Sequence, residues 1–310
     1  MPTSYHFCAF LQLRHVVKCH PQKGIEMKAK PDCIVCMFRQ ALNTLRLITD
    51  DPEVHRKVLS KIARWISDTS LYDTPAGISQ PVYDIIAEAT GVWDPYEKQK
   101  KESNEIALIL LPALKSIVDT AEDPLDAALH IAAAGNTIDL GIDHKFNIEK
   151  DVPEIMNQDF AISAIEEFRK ELGPRKKFLY LGDNAGEIVF DMLLVEHILQ
   201  TRTEVIFAVK SGPIINDATM KDAEEIGMTN LVRVIETGSN DIGVNWNNAS
   251  REFRKFFQDV DVIIGKGHGN FETCNDRPEN IYFLLKAKCQ MVADELGARL
   301  GDIVFKHSTN

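Results

Sequence analysis

The residues able to do chemistry gather behind three short apolar runs. Phe178 to Gly182 ends in Asp183-Asn184-Ala185-Gly186-Glu187, Val205 to Val209 runs on to Asn216-Asp217, and Val262 to Gly265 leads into Lys266-Gly267-His268-Gly269-Asn270-Phe271-Glu272. A carboxylate beside an amide carbonyl, Asp183 with Asn184, offers two hard oxygens suited to Mg²⁺, Mn²⁺ or a similar ion, and Asp217 would supply a third. Gly186 lets the backbone pass close to a ligand, and amides at the start of the following helix favour a phosphate oxygen. In the block from Gly265, alternating glycines expose backbone donors around one fixed positive charge. Lys266 therefore reads as a phosphate clamp, with Asn270 and Glu272 lining the same pocket. Together these loops predict a site for a hard divalent metal and a phosphate.

Plainer readings stand beside each. Asp183 or Asn184 would also serve as a helix cap, and Asn216-Asp217 as a turn. The glycine block would also suit a solvated surface loop. His268, alone in that block, is left out of the catalytic set. Gly238-Ser239-Asn240-Asp241 would complete the rim or be an ordinary turn. Asn136 and Asp139, three apart, share a helix face only if the preceding helix reaches Gly135; they would then face the cleft or cap the helix end.

Positioning these residues needs a scaffold of two kinds. From Pro31 to about Lys170 the apolar spacing is helical, with Asp32 as a candidate N-cap, Asp51-Pro52 and Asp123-Pro124 as helix starts, and Pro112 expected to kink or split the pattern from Ile106 to Val118. After Gly173-Pro174 strands alternate with helices: strands near 178–181, 205–209, 231–235, 262–264, 281–285 and 302–305, and helices near 188–199, 218–226, 251–257 and 291–296. That alternation predicts an α/β fold, a mostly parallel sheet flanked by helices, with an N-terminal all-helical domain packed against it. The expected division is a helical domain over 27–172 and an α/β metal-binding domain over 173–310, with the substrate in the cleft between them. In such sheets ligands bind outside the carboxyl ends of the strands, which is why three strand-end loops are read as one site.

Charge narrows the partners. Lys and Arg number 35 against 46 Asp and Glu, a formal net charge of -11 that repels polyanions, so a nucleic-acid partner is not expected. With 45% hydrophobic and 26% charged residues the composition is that of a soluble globular protein, and no apolar run approaches the roughly 20 residues of a membrane span. The first 26 residues carry Cys8, Cys19, His6, His15 and His20 without clear periodicity and read as a disordered or non-native extension. Six cysteines in a chain this long fit a reducing cytoplasm. Cys33 and Cys36 form a CxxC at a predicted helix start, where thiolates are favoured. The pair would be half of a structural zinc site completed by Cys274 or Cys289, a redox bridge, or buried thiols.

Taken as a set, Cys33-x-x-Cys36, Gly135-Asn136-x-x-Asp139, Asp183-Asn184-x-Gly186-Glu187, Asn216-Asp217 and Lys266-Gly267-x-Gly269-Asn270-Phe271-Glu272 resemble the damage-control metal phosphatases. The resemblance runs from about Met27 to the C-terminus, and the CxxC is similar to the archaeal and bacterial subfamily. It implies a helical domain on an α/β domain, one divalent cation (Mn²⁺, Co²⁺, Ni²⁺ or Mg²⁺) on Asp183, Asn184 and Asp217, and hydrolysis of phosphate monoesters of small, often damaged or side-product metabolites, sugar phosphates included. The expected roles are then Asp183, Lys266, Asn270 and Glu272 in catalysis, and Gly186, Glu187, Asn136, Asp139, Ser239, Lys266 and Gly267 around the substrate. Water attack is favoured over a covalent aspartyl route, since no Asp-x-Asp-x-Thr follows a strand. The competing readings are an S-adenosylmethionine-dependent carboxyl methyltransferase, for which the first strand lacks a glycine-rich turn, and a non-enzymatic metal-dependent binding module. A nicotinamide enzyme is disfavoured because Gly265-x-Gly267-x-Gly269 has the wrong spacing.

Overall fold

The computed structural model describes residues 27–68, 73–135 and 148–309. The expected N-terminal extension, Asn136 and Asp139 lie outside the described residues. In chain order the elements are α1 (Pro31–Ile48), α2 (Pro52–Asp68), α3 (Pro75–Thr90), α4 (Glu97–Thr120), α5 (Pro124–Gly135), α6 (Ile148–Met156), β1 (Ile162–Ser163), α7 (Ile165–Glu171), β2 (Lys177–Leu181), α8 (Glu187–Gln200), β3 (Glu204–Val209), α9 (Met220–Glu225), α10 (Met228–Leu231), β4 (Arg233–Glu236), α11 (Arg251–Asp259), β5 (Val262–Lys266), α12 (Gly267–Cys274), β6 (Ile281–Lys286), α13 (Gln290–Leu296) and β7 (Ile303–His307).

Local chemistry accounts for several starts. Asp51 Oδ1 accepts from Glu53 N at 2.8 Å at the head of α2, and Asp123 Oδ1 accepts from Asp126 N at 3.3 Å at the head of α5, so both Asp-Pro pairs open helices as expected. α1 begins earlier than predicted: Lys30 is its N-cap and Asp32 sits in its first turn. Pro112 does not split α4, which runs 24 residues with Pro112 inside it.

The strands form one seven-stranded sheet among the described residues, ordered β1-β7-β6-β5-β2-β3-β4. All neighbours are parallel except β6 and β7. Alternate residues of each strand face opposite layers. Phe178, Tyr180, Phe207, Ile264 and Leu284 pack with α4, α5 and α8 on one side. Leu179, Leu181, Ile206, Ile263 and Phe283 pack with α1 to α3 and α11 to α13 on the other. The boundary expected at 172/173 does not divide the core. Helices from before it supply layers on both sheet faces, and β1 pairs in parallel with β7. No described helix is long and apolar enough to cross a membrane.

Candidate active site

Three of the loops singled out by sequence leave adjacent strands. β3 and β5 both pair in parallel with β2, so the carboxyl ends of all three point the same way. The chain moves outward from β2 through β3 and β4, then returns to β5 on the opposite side of β2. The order reverses between β2 and β5, the place where open α/β sheets form a ligand crevice.

Backbone pairing clamps the first two loops together. Ala218 N donates to Asp183 O at 2.8 Å and Ala185 N to Asn216 O at 2.9 Å, making Asn184 and Asp217 a bridged antiparallel pair. Asp183 and Asp217 are thus held across one short ladder. Ile215, just before, has φ 46, which is strained for a β-branched residue. Neither reading as a simple cap survives: α8 is preceded by Gly186 with no side-chain cap, and the Asn184 side chain turns to its neighbours. Asn184 Nδ2 donates to Asp183 Oδ2 at 2.9 Å and to Glu187 Oε2 at 3.0 Å.

Electrostatics here are those of crowded, buried carboxylates. Burial, then the Glu187 and Asp217 carboxylates, raise the Asp183 carboxyl well above the usual carboxylate range. Burial pushes Asp217 up to about 6 against the pull of Lys210. Lys210, itself buried, lies 3.7 Å from Asp217 Oδ2 and donates to Gly243 O. Two desolvated carboxylates, both raised further by Glu187, with an amide between them, suit a hard divalent ion. Among the described residues no three His, Cys, Asp or Glu side chains group to hold a metal. The fitting set is two carboxylates and an amide.

Gly267 completes the hollow. It opens α12 with φ 74, and a Cβ there would lie 1.9 Å from Asp183 Oδ2. Only glycine lets that carboxylate rest against the start of α12. The expected glycine loop is therefore the end of β5 and the first turn of a helix.

Lys266 corrects the sequence reading most sharply. Its side chain is 0% exposed, and Nζ donates to Asp191 Oδ1 at 2.5 Å, Glu187 Oε1 at 2.7 Å and Ala132 O at 2.8 Å. An ammonium has three donors, and all three are spent inside the protein. Burial opposes its charge, but Asp191 and Glu187 outweigh burial and keep it protonated. It is a buried counter-ion for two carboxylates, not a clamp over the substrate. Gly186 is corrected for a similar reason: its N–H donates to Asn104 Oδ1 at 2.6 Å, so that amide is taken.

Asn270 is buried and donates to Lys266 O at 2.8 Å and Gly182 O at 3.2 Å, which makes it a strut between β5 and the Asp183 loop and not a pocket-lining group. Glu272, expected in catalysis, lines a different cavity of about 410 Å³ with Gln80, Asp241, Trp246 and Arg277, whose lining includes neither Asp183 nor Asp217. Burial pushes its carboxyl up to about 8. Ser239 O accepts from Ser211 N at 3.0 Å, beside the β4 end of the row. His268 Nε2 lies 2.8 Å from Lys286 O and 3.0 Å from Lys288 N, and burial lowers its pKa to about 4; it braces the β6 exit.

The CxxC carries free thiols. Cys33 is buried, with Sγ 3.7 Å from Met291 Sδ, and Cys36 is exposed, accepting from Gln40 Nε2 at 3.5 Å. Desolvation raises both pKa values, and Cys289 raises them further, so the thiolate expected at a helix start is replaced by the neutral thiol.

Sequence reasoning missed Lys210, Asn104, Asp191 and Lys288. Lys288 follows β6, is exposed, and lowers the Asp183 pKa through its charge. Lys210 had a signal, since it ends the β3 run, but nothing local marked Asn104 or Asp191.

A family model described as the damage-control phosphatase ARMT1-like domain matches residues 29–304. The damage-control phosphatase of Pyrococcus horikoshii is 33% identical over 282 residues, covering 90% of this chain and 97% of its own. That of Archaeoglobus fulgidus is 31% identical over 287 residues, with 90% and 99% covered. A crystal structure of a DUF89 family protein from Pyrococcus horikoshii superposes with a TM-score of 0.85 at 33% identity, covering 91% of this chain and 99% of that one.

Proposed function

Because the chain belongs to the ARMT1-like damage-control phosphatase family, we propose that it hydrolyses phosphate monoesters of small metabolites with the help of one divalent cation held by Asp183, Asn184 and Asp217. The observation that carries this is the backbone ladder joining Asp183 to Asp217, which brings two mutually repelling carboxylates into one hollow. A bound divalent ion supplies Lewis-acid polarisation of a phosphate oxygen.

The chain's own residues do the rest. Asp183, Asn184 and Asp217 hold their oxygens ready on two crossed loops. The first-turn amides of α12, which have no acceptor within the helix, open beside Asp183 and favour negative charge. Lys288 is the cation available to offset charge developing on the phosphoryl group, the part expected of Lys266. A water molecule is the nucleophile. Substrates are small phosphorylated metabolites, sugar phosphates among them.

The test is release of inorganic phosphate from a panel of sugar phosphates and related monoesters after chelation, with Mn²⁺, Co²⁺, Ni²⁺ or Mg²⁺ added back singly. Metal-dependent release is expected, abolished in Asp217→Ala with the thermal transition retained. Lys288→Ala should lower kcat/KM by about 10-fold or more, the loss of roughly 1.4 kcal/mol or more of transition-state stabilisation. Undiminished release by the chelated protein, or full activity of Asp217→Ala, would end this reading.

A further inference from the structure

A continuous line of hydrogen bonds runs from the core to the proposed metal site. Tyr180 OH donates to Asp191 Oδ1 at 2.8 Å, and Lys266 Nζ donates to the same oxygen at 2.5 Å. Lys266 Nζ also donates to Glu187 Oε1 at 2.7 Å. The other Glu187 oxygen accepts from Asn184 Nδ2 at 3.0 Å, and Asn184 Nδ2 donates to Asp183 Oδ2 at 2.9 Å. We propose that Asp191 and Tyr180 are positioning residues, acting through Lys266 and Glu187 to fix which end of the Asn184 amide faces the cation; this rests on the reading that Asp183, Asn184 and Asp217 bind a divalent ion.

The logic lies in the asymmetry of an amide. One end accepts and can ligate a cation, while the other donates and repels it. Both Asn184 N–H bonds are drawn to carboxylates, Glu187 on one side and Asp183 on the other, which turns the carbonyl oxygen away from them. Glu187 can do this only while its Oε2 is held against Asn184 Nδ2. Lys266 holds it there through the other oxygen, Oε1, and Lys266 is itself pinned by Asp191 and by Ala132 O. Tyr180, buried in β2, fixes the Asp191 oxygen on which Lys266 rests.

A purely stabilising role fits this cluster poorly. Well-packed apolar side chains of similar volume often stabilise a core as well as a buried ion triad does, or better. Asp191 Oδ2 is moreover buried without a hydrogen-bond partner among the described residues, a cost that a cluster kept for stability would shed. Outer-shell partners of metal ligands do have a recognisable effect: their removal typically weakens metal binding about 10–100-fold.

The experiment measures Mn²⁺ affinity of the purified full chain by calorimetry and the electron paramagnetic resonance of bound Mn²⁺, with melting of the metal-free protein in parallel. Asp191→Asn and Tyr180→Phe are compared with Leu194→Ala, a core variant of the same helix whose apolar side chain makes no hydrogen bond in the line. Asp191→Asn should weaken Mn²⁺ binding by about tenfold or more and Tyr180→Phe by about threefold, each with an altered resonance spectrum, while Leu194→Ala lowers the melting temperature and leaves affinity and spectrum alone. Tyr180→Phe keeps the ring and removes one hydrogen bond, so it reports even if Asp191→Asn folds poorly. Wild-type affinity and spectrum in Tyr180→Phe and Asp191→Asn, or losses matched by Leu194→Ala, overturn the inference while Asp217→Ala still tests the site. Absence of Mn²⁺ binding by the unaltered chain overturns both.

Discussion

Lys266→Met separates the two roles a lysine at the end of β5 can have. A clamp at a solvent-facing rim contributes little to stability, and its loss would shift unfolding by about 0.5 kcal/mol or less. Lys266 instead neutralises Glu187 and Asp191, all three being at most 1% exposed. Removing the ammonium strands two buried carboxylates, so urea unfolding of metal-free Lys266→Met should show a loss of about 3–5 kcal/mol. A neutral result would mean that the ammonium normally reaches solvent and that the line through Glu187 is broken. The same reasoning explains the misreading from sequence: the carboxylates that claim Lys266 lie 79 and 75 positions away, and only the glycines beside it are local.

At the scale of elements, α4 shows how tertiary burial overrides a local rule. Proline within a helix costs about 3 kcal/mol through a lost hydrogen bond and a clash. Ala107, Leu110, Leu114 and Val118 of α4 are buried against α8 and its surroundings, and each large apolar side chain contributes roughly 1.5–3 kcal/mol, enough to hold the helix through Pro112. Keeping α4 whole matters to the site, because Asn104 on α4 takes the Gly186 N–H and donates to Asp222 Oδ1 at 3.1 Å, tying α8 and α9 to one point. Pro112 is exposed, so Pro112→Ala loses no packing and should stabilise the protein by about 1–3 kcal/mol, read from denaturant midpoints. A lower midpoint would show that the proline sets a bend the packing needs.

For the whole molecule, pH reports how much charge the fold keeps from water. Burial raises Glu272 from 4.5 to about 8, so the native state holds a proton that the unfolded chain has already released across that interval. Stability therefore falls as pH rises through the window, and the deficit is constant above it. Glu272→Gln is neutral throughout. Its stability relative to the unaltered protein should grow between about pH 5 and pH 8 and level off beyond, measured by urea unfolding at a series of pH values. A difference independent of pH would mean that solvent in the 410 Å³ cavity screens the carboxylate fully. On the same scale, the helices before residue 172 serve both faces of one sheet, and the reason this was not legible is that an amphipathic stripe gives a helix a buried side without saying which surface it meets.

The sequence by itself determined strands β2 to β7 and helices α8, α9, α11 and α13 in their order after Gly173, though not α10 or α12, along with the Asp-Pro helix starts and the arrival of Asp183, Asn184 and Asp217 at strand ends. Each follows from period, capping chemistry or turn residues, which act over a few positions. The tertiary structure decided that β2, β3 and β5 lie side by side, that Asn104 takes the Gly186 amide from 82 positions away, and that Lys266 turns inward to Glu187 and Asp191. Those outcomes depend on which surfaces meet when the layers close, and the energy of a buried charge is set by the partners that closure brings to it.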